Sequence, residues 1–303
     1  MSIIVNNITK LYGQQKALDN VSFEVKAGEV VGFLGPNGAG KSTMMKILSC
    51  FIPQSAGDAS VCGHDVMQDS MLVRKKLGYL PENNPLYLDM YVREFLFFIA
   101  GIHHIEGNVK KRVDEIIAIV GLGAEQNKKL GALSKGFRQR AGLAQAMIHN
   151  PEVLILDEPT SGLDPNQLLD IRNLIRDIGK EKTVMLSTHI MQEVEAVCDR
   201  VIIINKGIIV ADDLTTNLQG IARKKEMITV EFDGKAEIEQ LKKLDGVLKV
   251  ILMKENTYQV EAAQGKDIRK ALFNFAVDNK LSILSQHREE SSLEDVFRSL
   301  TKE

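Results

Sequence analysis

Gly35-Pro36-Asn37-Gly38-Ala39-Gly40-Lys41-Ser42 satisfies the spacing G-x-x-x-x-G-K-S, and no other feature of the chain restricts its fold as tightly. Val30 to Leu34, just upstream, is short, β-branched and apolar, the mark of a buried parallel strand. Lys41 to Cys50, just downstream, repeats apolar residues at helical spacing. Strand, glycine loop and helix therefore stand in the order such a loop needs. Gly35, Gly38 and Gly40 permit backbone conformations closed to residues with a Cβ, so successive N–H groups can turn toward phosphate oxygens. The helix that follows adds its positive end. In this cradle Lys41 is expected to reach the β- and γ-phosphates of ATP, and the Ser42 hydroxyl to ligate Mg2+. Thr43 is expected to bond an α-phosphate oxygen.

Val153-Leu154-Ile155-Leu156-Asp157-Glu158 reads as a second buried strand, ending in two adjacent carboxylates. Two acids at the exit of an apolar strand make poor core, so a chemical role is expected. Asp157 fits the carboxylate on the Mg2+ side, acting through a ligated water, and Glu158 fits the general base that polarises an attacking water.

Further segments fall in an order that resembles the ATP-binding subunit of an ATP-binding cassette (ABC) transporter. Leu133-Ser134-Lys135-Gly136-Phe137 resembles the family signature. The resemblance implies that Ser134, Gly136 and the helix-start N–H groups contact the γ-phosphate bound by a partner subunit, and hence that the protein works as a dimer around ATP. Ser161-Gly162-Leu163-Asp164 resembles the loop that crosses this interface. His189 resembles the switch histidine on the γ-phosphate, and Tyr12 the aromatic on which adenine stacks. The implied fold is an α/β P-loop ATPase with an antiparallel β subdomain and a helical subdomain. The implied partner is a separate transmembrane permease, which would hold this subunit at the inner face of the cell membrane.

Two positions depart from the commonest family pattern. Gly78-Tyr79-Leu80-Pro81-Glu82 aligns with the loop where glutamine usually contacts Mg2+, and here the residue is Glu82. A carboxylate can still ligate that cation. The signature carries Lys135 and Phe137 where glycine and glutamine are commonest. Both departures resemble the ABC-2 exporter branch, to which drug-export, polysaccharide-export and gliding-motility subunits belong. Leu80 to Tyr87, with Tyr91-Val92-Arg93-Glu94 following, is most similar to the gliding-motility subunits.

Composition narrows the alternatives. The formal net charge is −2, so no basic excess points to nucleic acid as a partner. A soluble ABC ATPase acting on ribosomes or DNA, or a nucleotide-dependent regulator that hardly hydrolyses ATP, remain the other readings. The three cysteines, Cys50, Cys62 and Cys198, show no paired spacing, and small core roles are expected for them in a reducing compartment. Phe95 to Ile102 is the most apolar stretch and is far short of the ~20 residues a bilayer span needs. Met1 to Asn6 has neither a basic n-region nor a long apolar h-region, so no signal peptide is expected. His103-His104 reads as solvated surface.

Two domains are expected in the 303 residues, an ATPase domain over 1–218 and an accessory domain over 219–303. Ile3 to Val25 reads as an antiparallel strand pair turning at Tyr12-Gly13, and 83–150 as the mostly helical subdomain. Val201 to Ile204 and Ile208 to Ala211 read as a closing hairpin. Beyond the boundary, strands at 227–232, 247–253, 257–262 and 281–286 alternate with helices at 236–244 and 267–279. That β-α-β-β-α-β order predicts a small ferredoxin-like domain. Ser291 to Phe297 reads as a capped helix start.

Overall fold

A computed structural model describes residues 1–218, 226–263 and 266–290, together with Glu294 and Phe297. The chain divides into two compact units, Met1–Thr215 and Thr216–Glu303.

The first unit is built on the apolar runs that sequence periodicity marks as strands. Strands β1 (Ile3–Tyr12) and β2 (Gln15–Val25) pair antiparallel around a tight turn at Gly13-Gln14, and β4 (Ala56–Val61) and β5 (His64–Asp65) extend them into one sheet, ordered β2-β1-β4-β5. Strand β3 (Val30–Leu34) belongs to a second sheet with β6 (Leu77–Leu80), β7 (Val153–Asp157), β8 (Thr183–Thr188), β9 (Arg200–Asn205) and β10 (Ile208–Leu214). Its order is β10-β9-β3-β8-β7-β6, parallel except for the β9–β10 hairpin. Every residue of β3, β7 and β8 is buried, which explains why these segments read as continuous apolar runs. The hairpin turns on Lys206 and Gly207, both at positive φ, a pairing that suits the strand twist.

Helix α1 (Lys41–Leu48) lies between the two sheets. Its Met44, Met45, Ile47 and Leu48 share one core with Ile3, Val5 and Ile8 of β1 and with Val31, Phe33 and Ile155 of the parallel sheet. Clamping the helix on both sides fixes its first turn relative to the strand ends. Helix α2 (Ser70–Lys76) follows on the same core through Val73.

The expected helical stretch is helical from Val92 onward and irregular before it, where Pro81 and Pro85 interrupt the backbone donors. It contains α3 (Val92–Ile102), α4 (Val109–Ile119) and α5 (Lys135–Met147). Buried Val113, Ile116 and Ile117 give α4 the face its periodicity announces. Arg112 on α4 donates to the carbonyls of Met147 and Ile148, satisfying acceptors that the end of α5 leaves open. Helices α6 (Pro165–Gly179) and α7 (Met191–Val197) flank the parallel sheet. His103 and His104 are both exposed, as expected, and the His103 ring also stacks on His149 with centroids 4.0 Å apart. Cys198 is buried, whereas Cys50 and Cys62 are half-buried, and all three are free thiols.

The second unit pairs β11 (Glu226–Phe232), β12 (Val247–Lys254), β13 (Thr257–Ala262) and β14 (Ile283–Glu290) in the order β12-β13-β11-β14, all antiparallel. With helices Ile238–Leu241 and Arg269–Asp278, this is the ferredoxin-like arrangement the element order predicts. The helix expected over 236–244 contracts to Ile238–Leu241, because Lys243 and Leu244 bond the carbonyls three residues back and tighten the last turn. Tyr258 is buried in the core, its hydroxyl bonding both the N–H and the carbonyl of Ala236 at 2.8 Å. The capped helix expected at Ser291 to Phe297 lies outside the described residues, apart from Glu294 and Phe297. Among the described residues no helix is long and apolar enough to cross a membrane.

Candidate functional site

Strands β3 and β7 both flank β8, and β6 flanks β7, so the loops leaving their carboxyl ends converge on one edge of the sheet, where open parallel sheets place their ligands. The register sets the details: Leu34 stands opposite Thr188, and Asp157 opposite Ser187.

The loop after β3 is shaped by its glycines. Gly40 has φ +108°, and a Cβ there would stand 2.5 Å from the Ala17 carbonyl; at Gly35 a Cβ would collide with the Ile204 carbonyl. Neither position has room for another residue. Gly40 caps α1 without a side-chain bond, and the first turn holds no acid. Its N–H groups are thus left for an outside acceptor. Lys41 is only 6% exposed, and its ammonium donates to the carbonyls of Gly35 at 2.7 Å and Pro36 at 3.2 Å.

The loop after β7 holds the acids. Asp157 Oδ1 accepts from Ser42 at 3.1 Å and from Ser187 at 2.5 Å. Glu158 has φ +47°, a left-handed backbone that costs a non-glycine residue about 1–2 kcal/mol. It is 7% exposed, with Oε1 3.4 Å from Lys41 Nζ and Oε2 2.9 Å from His189 Nδ1. A carboxylate held between a buried ammonium and an imidazole is placed to receive a proton from a water at the same edge.

Two side chains that sequence reading passed over complete this framework. Ser187 accepts the Glu158 N–H at 3.0 Å while donating to Asp157. Glu193 on α7, 2% exposed, accepts from Thr188 at 2.6 Å and from Thr160, with the Arg172 guanidinium 3.9 Å away. It ties the loop carrying Glu158 to the loop carrying His189. The hydroxyls of Thr160 and Ser187-Thr188, next to the two loops, are the only sequence signal that pointed here.

A cavity of about 540 Å3 joins these groups, running from Tyr12 and Ala17 past Asn37, Lys41 and Thr43 to Glu158 and His189. Tyr12 is 49% exposed, and Lys10 lies over its ring at 5.2 Å. Glu82, two residues beyond β6, lines the same cavity and a second one of about 460 Å3 that it shares with Ser42, Tyr79 and Asp157. Burial, and then the charge of Asp157, push the Tyr79 hydroxyl's pKa up, so it stays protonated.

Ser134, Gly136 and Asp164 are brought to one another and not into this cavity. Ser134 caps α5, its hydroxyl accepting from Phe137 N–H and Gln167 Nε2, both at 3.4 Å. Asp164 caps α6 through the N–H groups of Asn166 and Gln167. Gly136 packs on the Gln167 side chain, where a Cβ would come within 2.5 Å.

The arrangement fits a nucleotide with a hard divalent cation. The cradle is closed to any Cβ at Gly35 and Gly40, and Ser42, Asp157 and Glu82 supply oxygen donors around one space. Among the described residues no three His, Cys, Asp or Glu side chains form a metal cluster by themselves. A cation here would need phosphate oxygens and waters as further ligands, which is how Mg2+ is usually held.

Known proteins share this architecture. The family described as ABC transporter matches residues 18–161. The bacitracin transport ATP-binding protein BcrA of Bacillus licheniformis is 34% identical over 99% of this chain and 98% of its own length. The linearmycin resistance ATP-binding protein LnrL of Bacillus subtilis (strain 168) is 33% identical over 97% of this chain and 96% of its own. A solved dimeric cassette in a post-hydrolysis state, bound to ADP and phosphate, superposes with a TM-score of 0.64 at 26% identity, covering 70% of this chain and 98% of that one. The chain belongs to the ABC transporter family, as an ATP-hydrolysing, ATP-binding subunit.

Proposed function

We propose that this subunit binds ATP with Mg2+ in the cavity between Tyr12 and His189, dimerises around it, and drives a separate transmembrane permease that exports its cargo. The observation that carries the reading is Glu158, held at a strained strand exit between Lys41 and His189. In it Glu158 polarises the attacking water, and Lys41 and His189 stabilise charge on the γ-phosphate. Tyr12 stacks on adenine, and Gly35 to Thr43 wrap the phosphates. Ser42, Asp157 and Glu82 would hold Mg2+, which when bound neutralises charge on the phosphate oxygens.

Ser134, Gly136 and Asp164 stand outside the cavity of their own chain, which supports a site completed by the same residues of a second copy. Dimerisation is also supported by the dimeric state of the solved relative. Bacitracin transport and linearmycin resistance, the roles printed for two full-length relatives, support export. The subunit would then sit on the inner face of the membrane through its permease. A narrower proposal, a permease of the gliding-motility type, rests on Leu80 to Glu94 alone.

Glu158→Gln is expected to keep ATP binding while turnover falls about 10²- to 10⁴-fold. An unchanged hydrolysis rate would remove Glu158 from the base role. The same tagged variant, pulled from solubilised native membranes with Mg·ATP, should recover a multi-span protein. Recovery of ribosomes or nucleoid proteins alone would overturn the transporter reading.

A further inference from the structure

Tyr12 stands at the tip of the β1–β2 hairpin, where the core gives it little support. Leu11 to Lys16 are all exposed, and Gly13 turns the chain at φ +60°. An aromatic ring free to change rotamer loses part of its stacking energy to the ordering that stacking demands. A base platform in this position therefore needs something besides apolar packing to hold it.

The chain supplies that support from two residues back. Lys10 is half-buried, and its ammonium lies over the Tyr12 ring, 5.2 Å from the centroid. Tyr12, Gln15 and Ala17 line the nucleotide cavity and Lys10 does not, so the ammonium is behind the ring as seen from the cavity. The same ammonium donates to the Pro53 carbonyl at 2.6 Å. Ser55 fixes the backbone on either side of Lys10: its N–H donates to the Thr9 carbonyl at 2.8 Å, and its hydroxyl accepts from the Leu11 N–H at 3.0 Å. Among the described residues Lys10 has no ion-pair partner, and it is the one charged or aromatic group on the Tyr12 ring. A strand lysine without a structural task keeps its head in water. This one exchanges water for a carbonyl and the negative face of a ring. Pro53 to Ser55 follow α1, whose first turn belongs to the phosphate cradle, so the contact ties the base end of the cavity to the element that carries the phosphate end.

We propose that Lys10 is a positioning residue for the nucleotide base: it clamps the Tyr12 ring from behind, so that the face turned to the cavity stands ready for adenine. The inference rests on the reading of Tyr12 as the stacking aromatic. A cation over a ring at an exposed site shifts an equilibrium about 2- to 5-fold. That effect falls on the base and spares the phosphates, which Gly35 to Thr43 hold without help from Lys10.

Calorimetric titration of the full chain with ATP, and separately with inorganic tripolyphosphate, tests it. Lys10→Met keeps the aliphatic stem and removes the charge; it should weaken ATP binding about 2- to 5-fold and leave tripolyphosphate binding unchanged. Lys10→Arg should restore ATP binding. In a Tyr12→Ala background, Lys10→Met should make no further difference. An equal loss for both ligands, a loss that persists without Tyr12, or no loss at all would overturn the clamp while leaving nucleotide binding in place. Unchanged ATP affinity in Tyr12→Ala itself would overturn the reading of Tyr12 as the stacking aromatic, and the clamp with it.

Discussion

Ser187 donates its hydroxyl to Asp157 at 2.5 Å, and the same oxygen accepts the backbone N–H of Glu158, so one side chain of β8 fixes both acids at the end of β7. The parallel register that sets Asp157 opposite Ser187 makes this contact, and it holds the left-handed turn at Glu158 in place.

Ser187→Ala removes that fixing point. The Glu158 N–H keeps the Ser187 carbonyl at 3.2 Å, so the stability loss should stay near 1–2 kcal/mol in urea unfolding. Turnover should fall about tenfold or more if Glu158 is the proposed base, since misplacing such a carboxylate by a fraction of an ångström costs rate before it costs stability. ATP affinity should change little. A variant with wild-type turnover would show that Ser187 does not position the acids.

Glu193→Ala should be far more damaging to the fold. It strips two buried hydroxyls, of Thr160 and Thr188, of their acceptor and leaves the largely buried Arg172 without its carboxylate. A loss of about 3–5 kcal/mol is expected in denaturant unfolding. Glu193→Gln, which keeps an acceptor oxygen, should lose less.

These two residues mark where sequence reading stopped. The loop at Gly35 to Ser42 and the strand exit at Asp157-Glu158 were legible because each motif is contiguous and its local structure follows from neighbours in the chain. The β9–β10 hairpin was legible because Asn205-Lys206-Gly207 carries its own turn signal, and the order of the second unit because its strands and helices alternate cleanly. Glu193 carried no such signal, as its partner Thr160 lies 33 residues away and the pair exists only after β7 and β8 are in register. His103 hides a contact for the same reason. It stacks on a ring 46 positions further along, which no local pattern announces.

That stack gives the fold a pH dependence. Burial first, and then the charge of His103, lower the His149 pKa to about 4, although its bond to the Leu77 carbonyl opposes the shift. Burial lowers His103 as well. Between about pH 6.5 and 4 the unfolded chain binds the proton that folded His149 refuses, so its contribution is complete above about 6.5 and is lost as pH falls through that window. The size is about 2–3 kcal/mol. His149→Gln should flatten the stability profile between pH 6.5 and 4 relative to wild type, and an unchanged slope would show that His149 titrates normally in the folded chain.

The central claim is that Lys41 of one chain works with Ser134 of another, and mixing two inactive variants tests it most directly. On the proposed function Lys41→Ala would disable the phosphate cradle and Ser134→Arg would block the surface proposed to meet a second copy, so each protein alone should be close to inactive. Mixed in equal amounts, half of the dimers would pair one intact cradle with one intact Ser134 surface, and roughly a quarter of wild-type ATP hydrolysis should return. A mixture as inactive as its components, under conditions where the wild type dimerises, would contradict a site shared between two copies.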